Sequence, residues 1–176
     1  MTNIALIGMP GAGKSTIGHI LAKLLNYSYV DTDKLICDQS GLTLHEILQA
    51  GGRDALQAIE EQVLCGLKLD HAVISTGGSA IYSPAGMSRL QQISKVVYLR
   101  CELNVVLERI GDSAQRGIMR RPGQTIEELF EERKILYRHY ADFTIDSSAG
   151  SPEEVARKII EVLELDSAAR EERDAG

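Results

Sequence analysis

No apolar run in these 176 residues approaches the ~18 needed to cross a bilayer, which excludes a helical membrane protein. Cysteine is scarce. Cys37, Cys65 and Cys101 lie far apart in no metal or redox spacing, so they read as buried, inert thiols. His19, His45, His71 and His139 form no pair at ligand spacing and read as surface or packing residues. Positive charge is not in excess: the net charge is −6, and no basic stripe offsets it. That composition argues against nucleic-acid binding. Repeats and low-complexity segments are absent. The N-terminus enters an apolar strand directly, so no signal peptide is expected, and the chain reads as a soluble cytoplasmic protein. With 44% hydrophobic residues it has enough apolar material for one compact domain.

Against that background one segment stands out. Gly8-Met9-Pro10-Gly11-Ala12-Gly13-Lys14-Ser15-Thr16 fits G-x-x-x-x-G-K-[ST], a phosphate-binding loop (P-loop). Glycines let the backbone turn tightly and aim several N–H groups at one anion. Gly11, Ala12, Gly13, Lys14, Ser15 and Thr16 are therefore the candidate nucleotide-binding residues. Lys14 brings a mobile charge to the outer phosphates, and the Ser15 hydroxyl can ligate Mg²⁺. Context supports the match. Asn3-Ile4-Ala5-Leu6-Ile7 reads as a buried parallel strand, and Ile17, Ile20, Leu21, Leu24 and Leu25 follow at helical spacing. A helix starting at about Gly13 would point its positive dipole end at the phosphates.

The rest of the chain alternates. Strands are predicted at residues 27–30, 72–76, 96–99 and 143–145. Capping boxes at Thr43-Leu44-His45-Glu46 and Thr125-Ile126-Glu127-Glu128 open helices, and Gly51-Gly52 breaks the first of them. A longer helix follows over about residues 54–68, and Ser83-Pro84 and Ser151-Pro152 start others. The resulting fold class is α/β: a five-stranded parallel sheet with helices on both faces. One domain is expected over residues 1–165, with a frayed tail at 166–176. Residues 111–123, rich in arginine and glycine and without apolar period, read as a mobile lid.

Ligands of such sheets bind beyond the carboxyl ends of the strands. That rule gathers the glycine loop, Asp31-Thr32-Asp33 and Gly77-Gly78 at one edge. Asp31 could hold Mg²⁺ together with Ser15. Asp33, two residues on, could accept the proton of an acceptor hydroxyl or orient it for in-line attack. A helix cap at residue 33 is the competing structural reading. Gly77 and Gly78 bring backbone close to a ligand or simply make a tight turn. Arg116, Arg120 or Arg121 of the lid could close over the phosphates, or remain solvated.

At this point the chain resembles the shikimate kinases, of the nucleoside monophosphate kinase fold. The matching pieces are residues 8–16, Asp31-Thr32-Asp33, Ile59-Glu60-Glu61, Gly77-Gly78 and Arg133-x-x-Leu136-Tyr137. The resemblance implies an ATP- and Mg²⁺-dependent kinase that phosphorylates shikimate, with acceptor-binding helices over about residues 33–64. It implies Lys14, Asp33 and Arg116 as catalytic residues, and Asp31 and Ser15 at the metal. Arg109 and Pro152 would flank adenine, and Asp33, Gln57, Gly77, Gly78, Ser79 and Arg133 would line the acceptor site, Arg133 against the substrate carboxylate. The partner is then a small-molecule acceptor, with no nucleic acid and no membrane, and the protein a monomer.

Three departures concern the acceptor half. Gln57 stands where the family has an arginine that also grips the carboxylate, Ser79 replaces a third glycine, and Leu48 replaces an aromatic residue. Losing one charge-assisted bond at Gln57 would weaken shikimate binding about ten- to a hundredfold unless another group compensates. Glu60 also loses a nearby cation, which would suit a hydroxy amino acid such as homoserine. A nucleoside monophosphate kinase would show more arginines facing the acceptor. A GTPase would show Asn-Lys-x-Asp, which is missing. A non-catalytic nucleotide-binding module would predict ATP binding without acceptor-dependent ADP release.

Overall fold

A computed structural model describes residues 3–110 and 118–174, with side chains up to residue 164. Five strands form one sheet: β1 (Asn3–Ile7), β2 (Ser28–Asp31), β3 (Ala72–Ser75), β4 (Ser94–Arg100) and β5 (Phe143–Asp146). Their order is β2-β3-β1-β4-β5, with every pairing parallel. The α/β expectation of a five-stranded parallel sheet therefore holds. Every residue of β1 is buried, so both faces of the central strand are covered. Its apolar run explains that position, because a strand with one polar face would be driven to an edge.

Among the described residues seven helices surround the sheet: α1 (Lys14–Leu25), α2 (Thr32–Ser40), α3 (Leu44–Gly66), α4 (Pro84–Ile93), α5 (Leu103–Arg109), α6 (Ile126–Tyr140) and α7 (Pro152–Asp174). Among them α1 packs on α7, and α3 on α4. Both predicted capping boxes form, at Thr43 with Glu46 and at Thr125 with Glu128. The predicted break at Gly51-Gly52 survives as a kink within α3, where Gly52 has φ 68° and ψ −162°. None of these helices, among the described residues, is long and apolar enough to cross a membrane.

The structure departs from expectation in three places. Helix α2 falls at the start of the stretch expected to hold acceptor-binding helices, and its N-cap is Asp31, whose Oδ1 accepts from the N–H groups of Asp33 and Lys34. The cap at residue 33 is therefore wrong by two positions. Helix α7 continues to Asp174, through a stretch whose charge and small residues suggest fraying. Of the three thiols only Cys101 is buried; Cys37 is half-buried and Cys65 exposed. In residues 111–123, positions 111–117, and with them Arg116, lie outside the described residues.

Two apolar cores result. The larger one joins the sheet to α1, α4, α6 and α7. A smaller one (Ile36, Ile47, Leu56, Val63 and Met119) sits between α2, α3 and the segment entering α6. This second core carries the acceptor side of the site on its own packing.

Candidate active site

The glycine loop joins β1 to α1 as the motif demands. Gly13 caps α1 at φ 89°, a left-handed conformation that side chains disfavour. Lys14 follows it and folds back over the loop, its Nζ donating to Gly8 O at 2.8 Å and Met9 O at 2.9 Å. Burial pushes its pKa down to about 8, and the Asp33 carboxylate opposes that shift. Asp33 is pushed up by its own burial, with the Lys14 charge pulling it back. The two groups thus sense each other inside the cleft.

That cleft measures about 470 Å³ and opens beyond the strand ends. Gly11, Gly13, Lys14, Ser15 and Thr16 line it, with Asp31, Asp33, Gly78, Arg109 and Pro152. Ala12 does not. Its side chain is fully buried and its N–H donates to Met9 O at 3.1 Å. Arg109 Nη1 donates to Gly11 O at 3.1 Å, which ties the end of α5 to the loop. Ser75, Thr76, Ser147 and Gly150 also line the cleft and were not anticipated. The strand-end rule could have found them, because Ser75 ends β3 and Ser147 directly follows β5.

Mg²⁺ is the ion such a cleft implies, and the donors at hand suit it. It favours a few hard oxygen ligands and completes its octahedron with phosphate and water. Ser15 is exposed at the start of α1. Asp31 commits Oδ1 to its helix cap, while Oδ2 meets only the Tyr29 hydroxyl, at a long 3.5 Å. The Tyr29 phenol also interacts with Ser15 and Ser75, so both candidate ligands gather around it. Tyr29 was missed, although it lies two residues before Asp31 on the same face of β2.

A second cavity of about 220 Å³ adjoins the first. Asp33, Pro10 and Gly78 line both; Glu60, Gly77, Ser79 and Arg133 add polar groups and backbone to the second, and Leu44, Leu56, Ile118 and Met119 its apolar wall. A Cβ on Gly77 would collide with Asp33 Oδ1 and come within 2.8 Å of Glu60 Oε1. A Cβ on Gly78 would lie 2.8 Å from Arg133 Nη1 and 2.9 Å from Pro10 Cδ. Absence of side chains here keeps the carboxylates and the guanidinium within reach of one small ligand.

Helix α6 supplies the cation. Arg133 is only 1% exposed; its Nη2 donates to Met119 O at 2.6 Å, and its Nε to the Tyr82 hydroxyl at 3.4 Å. One turn further, the Tyr137 hydroxyl donates to Gly78 O at 2.7 Å. The Arg-x-x-x-Tyr spacing therefore serves two ends: Arg133 faces the cavity, and Tyr137 pins its glycine wall.

Gln57 is placed differently from its expected role. It is absent from the lining of this cavity, and its Nε2 donates to Tyr82 O at 2.8 Å. Arg120 Nη1 donates to Gln124 O at 3.3 Å, and Arg121 pairs with Glu132 at 2.7 Å. Neither of these two arginines lines the nucleotide cleft.

Glu60 is 1% exposed and neither of its oxygens has a hydrogen-bond partner. Burial pushes its pKa from 4.5 up to about 7; Ser79 opposes that shift, Asp33 adds to it, and Arg133 opposes it. An acid whose folded pKa is raised favours folding below its unfolded pKa, and the benefit is lost as pH rises through the folded one. Across that window the loss amounts to roughly 3 kcal/mol, at about 1.4 kcal/mol per pKa unit. Glu60→Gln is expected to flatten the decline between about pH 5 and pH 8. Urea unfolding of both proteins at those two pH values measures it, and an unchanged difference would contradict the burial account.

Comparison with known proteins points to one family. The family model described as shikimate kinase matches residues 10–164. A shikimate kinase of Sulfurihydrogenibium sp. is 35% identical over 91% of this chain and 96% of its own length. That of Thermodesulfovibrio yellowstonii is 36% identical over 93% and 96%. Among solved structures, shikimate kinase from Acinetobacter baumannii in complex with shikimate superposes with a TM-score of 0.87 at 32% identity, covering 94% of both chains. Two adjoining cavities with a shared carboxylate, a phosphate loop and a buried arginine on α6 thus occur in a chain similar to these enzymes along almost all its length. It belongs to the shikimate kinase family, phosphotransferases with an alcohol acceptor.

Proposed function

We propose that the protein transfers the terminal phosphoryl group of ATP to a hydroxyl of shikimate, giving shikimate 3-phosphate and ADP. The observation that carries this reading is that Asp33 lines both cavities, with Lys14 beside it. A nucleotide in the larger cleft and a small acid in the smaller one would meet at that carboxylate.

The roles follow from placement. The amides of the glycine loop and Lys14 would hold the β- and γ-phosphates, with Lys14 exchanging the carbonyls of Gly8 and Met9 for phosphate oxygens. Ser15 and Asp31 would hold Mg²⁺, which supplies charge neutralisation across the phosphates when bound. Arg109 and Pro152 would flank the adenine. Asp33 would accept the hydroxyl proton as the oxygen attacks in line. Arg133 would exchange Met119 O for the substrate carboxylate, and Gly77, Gly78 and Ser79 would shape the floor. Arg116 remains the candidate for the lid. The enzyme would act as a cytoplasmic monomer.

The unpartnered Glu60 carboxylate is the one feature that suits an ammonium-bearing acceptor, so homoserine is the comparison substrate. A coupled ADP-release assay with each acceptor, at saturating ATP and Mg²⁺, tests the reading. Turnover is expected with shikimate and at most background with homoserine. Faster turnover of homoserine would overturn the choice of acceptor. ATP binding without ADP release for either would overturn the kinase reading.

A further inference from the structure

A carboxylate entering the smaller cavity joins two carboxyl groups, Asp33 and Glu60, while Arg133 is the one cation among the described lining residues. Like charges so close are unfavourable without a second positive group. Gln57 does not supply it, since it is neutral and turned to Tyr82 O. One helical turn before Gln57, on the same face of α3 beyond the kink at Gly52, stands Arg53.

Arg53 is half-buried, and its Nε is buried without a hydrogen-bond partner. Buried donors are seldom left unpaired, and those that are call for a reason. Its guanidinium carbon lies 5.9 Å from the centre of the Tyr82 ring, and that of Arg133 lies 5.3 Å from the same centre. Both guanidinium groups therefore approach the same aromatic ring. Glu132, whose carboxylate feels the Arg53 charge, is paired with Arg121 instead. Arg53 lines a hollow that shares one wall residue, Ile118, with the acceptor cavity.

We propose that Arg53 is the second carboxylate-binding residue of the acceptor site, and that it takes over from one helical turn away the role left vacant by Gln57. Its long stem swings past Ile118, and the freed Nε and Nη groups join Arg133 in a two-sided clamp on the acid. Tyr82 guides the movement, because its ring face attracts both guanidinium groups. This inference rests on shikimate being the acceptor.

Steady-state kinetics on Arg53→Ala, Arg53→Gln and the double variant Arg53→Ala/Gln57→Arg test it, with thermal melting as the folding control. Loss of one charged contact should raise the KM for shikimate about ten- to a hundredfold, with kcat and the KM for ATP within about twofold. Arg53→Gln, which keeps most of the stem, should show the same rise if the alanine variant melts early. The double variant should recover at least about tenfold of the loss, since its cation returns on the same helix face. An unchanged shikimate KM in a folded Arg53 variant overturns the proposal. So does an equal rise in the KM for ATP, or a double variant no better than the single one. A wild-type enzyme silent on shikimate would remove the proposed function and this inference together, whereas active wild type with indifferent Arg53 variants removes the inference alone.

Discussion

Lys14→Met is expected to remove turnover with every acceptor, lowering kcat by roughly a hundred- to a thousandfold or more, the cost of deleting one preorganised charge-stabilising group. Methionine keeps much of the length and loses the ammonium. The fold should tolerate it. The buried ammonium is disfavoured by desolvation, enough to bring its pKa down to about 8, so a neutral side chain relieves one cost while leaving Gly8 O and Met9 O without their donor. Melting temperature should accordingly change little while ADP release disappears. Retention of turnover within tenfold of wild type would show that the phosphates do not rely on this residue. The pH profile offers a second check. Nucleotide phosphates should raise the Lys14 pKa, so ATP affinity is expected to fall as pH rises past about 8, where the free lysine is half deprotonated.

Asp33→Asn should be almost as severe, with kcat down about 10²–10⁴-fold, the usual worth of a positioned general base. The amide is isosteric and can still accept a hydrogen bond from the acceptor. The KM for shikimate should therefore move far less than kcat, and ATP affinity should barely change. Burial raises the Asp33 pKa above the ordinary aspartate range, so activity should fall as pH drops through that raised value. The variant should lose this acid limb. A variant whose kcat falls less than tenfold, or whose acid limb persists, would assign the proton to another group. Glu60 is the nearest alternative, and Glu60→Gln in the same assay separates the two carboxyls.

Both expectations depend on residues that the sequence exposes, and the reason is locality. The glycine loop follows one strand and opens one helix, so its chemistry and geometry are set within about fourteen neighbouring residues. Asp31 and Asp33 are legible because they close a strand beside that loop. Their division of labour is less so. Asp31 caps α2, and only the folded chain shows one oxygen given to the backbone and the other facing Tyr29 and the cleft. Apolar periodicity alone does not reveal helix α2, because Thr32-Asp33-Lys34-Leu35-Ile36-Cys37-Asp38-Gln39-Ser40 is polar, with a weak apolar stripe. Its helix depends on the cap and on Ile36 packing into the second core.

The acceptor half resisted sequence reading most. Gln57 occupies a family position, yet its side chain is claimed by a carbonyl 25 residues away on the short 3-10 turn Ala80–Tyr82 and its cap. Arg53 gave no signal at all, since a lone arginine on a helix is ordinarily solvated. Its meaning comes from Tyr82 and Arg133, elements that meet it only in the folded chain. Glu60 was legible as a carboxylate near Asp33, while its burial without a well-formed hydrogen bond is a fact of packing.

The linear order of residues by itself determined the parallel α/β architecture, the phosphate loop and the strand-end carboxylates. Those features arise from apolar periodicity, glycine backbone freedom and neighbours close along the chain. Only the tertiary structure decided that Asp33 borders two cavities, that Gln57 points away from one of them and that the Arg53 Nε is left without a hydrogen-bond partner near it. The physical reason is that burial and hydrogen-bond competition are settled between helices and turns far apart in sequence, where no local pattern records the outcome.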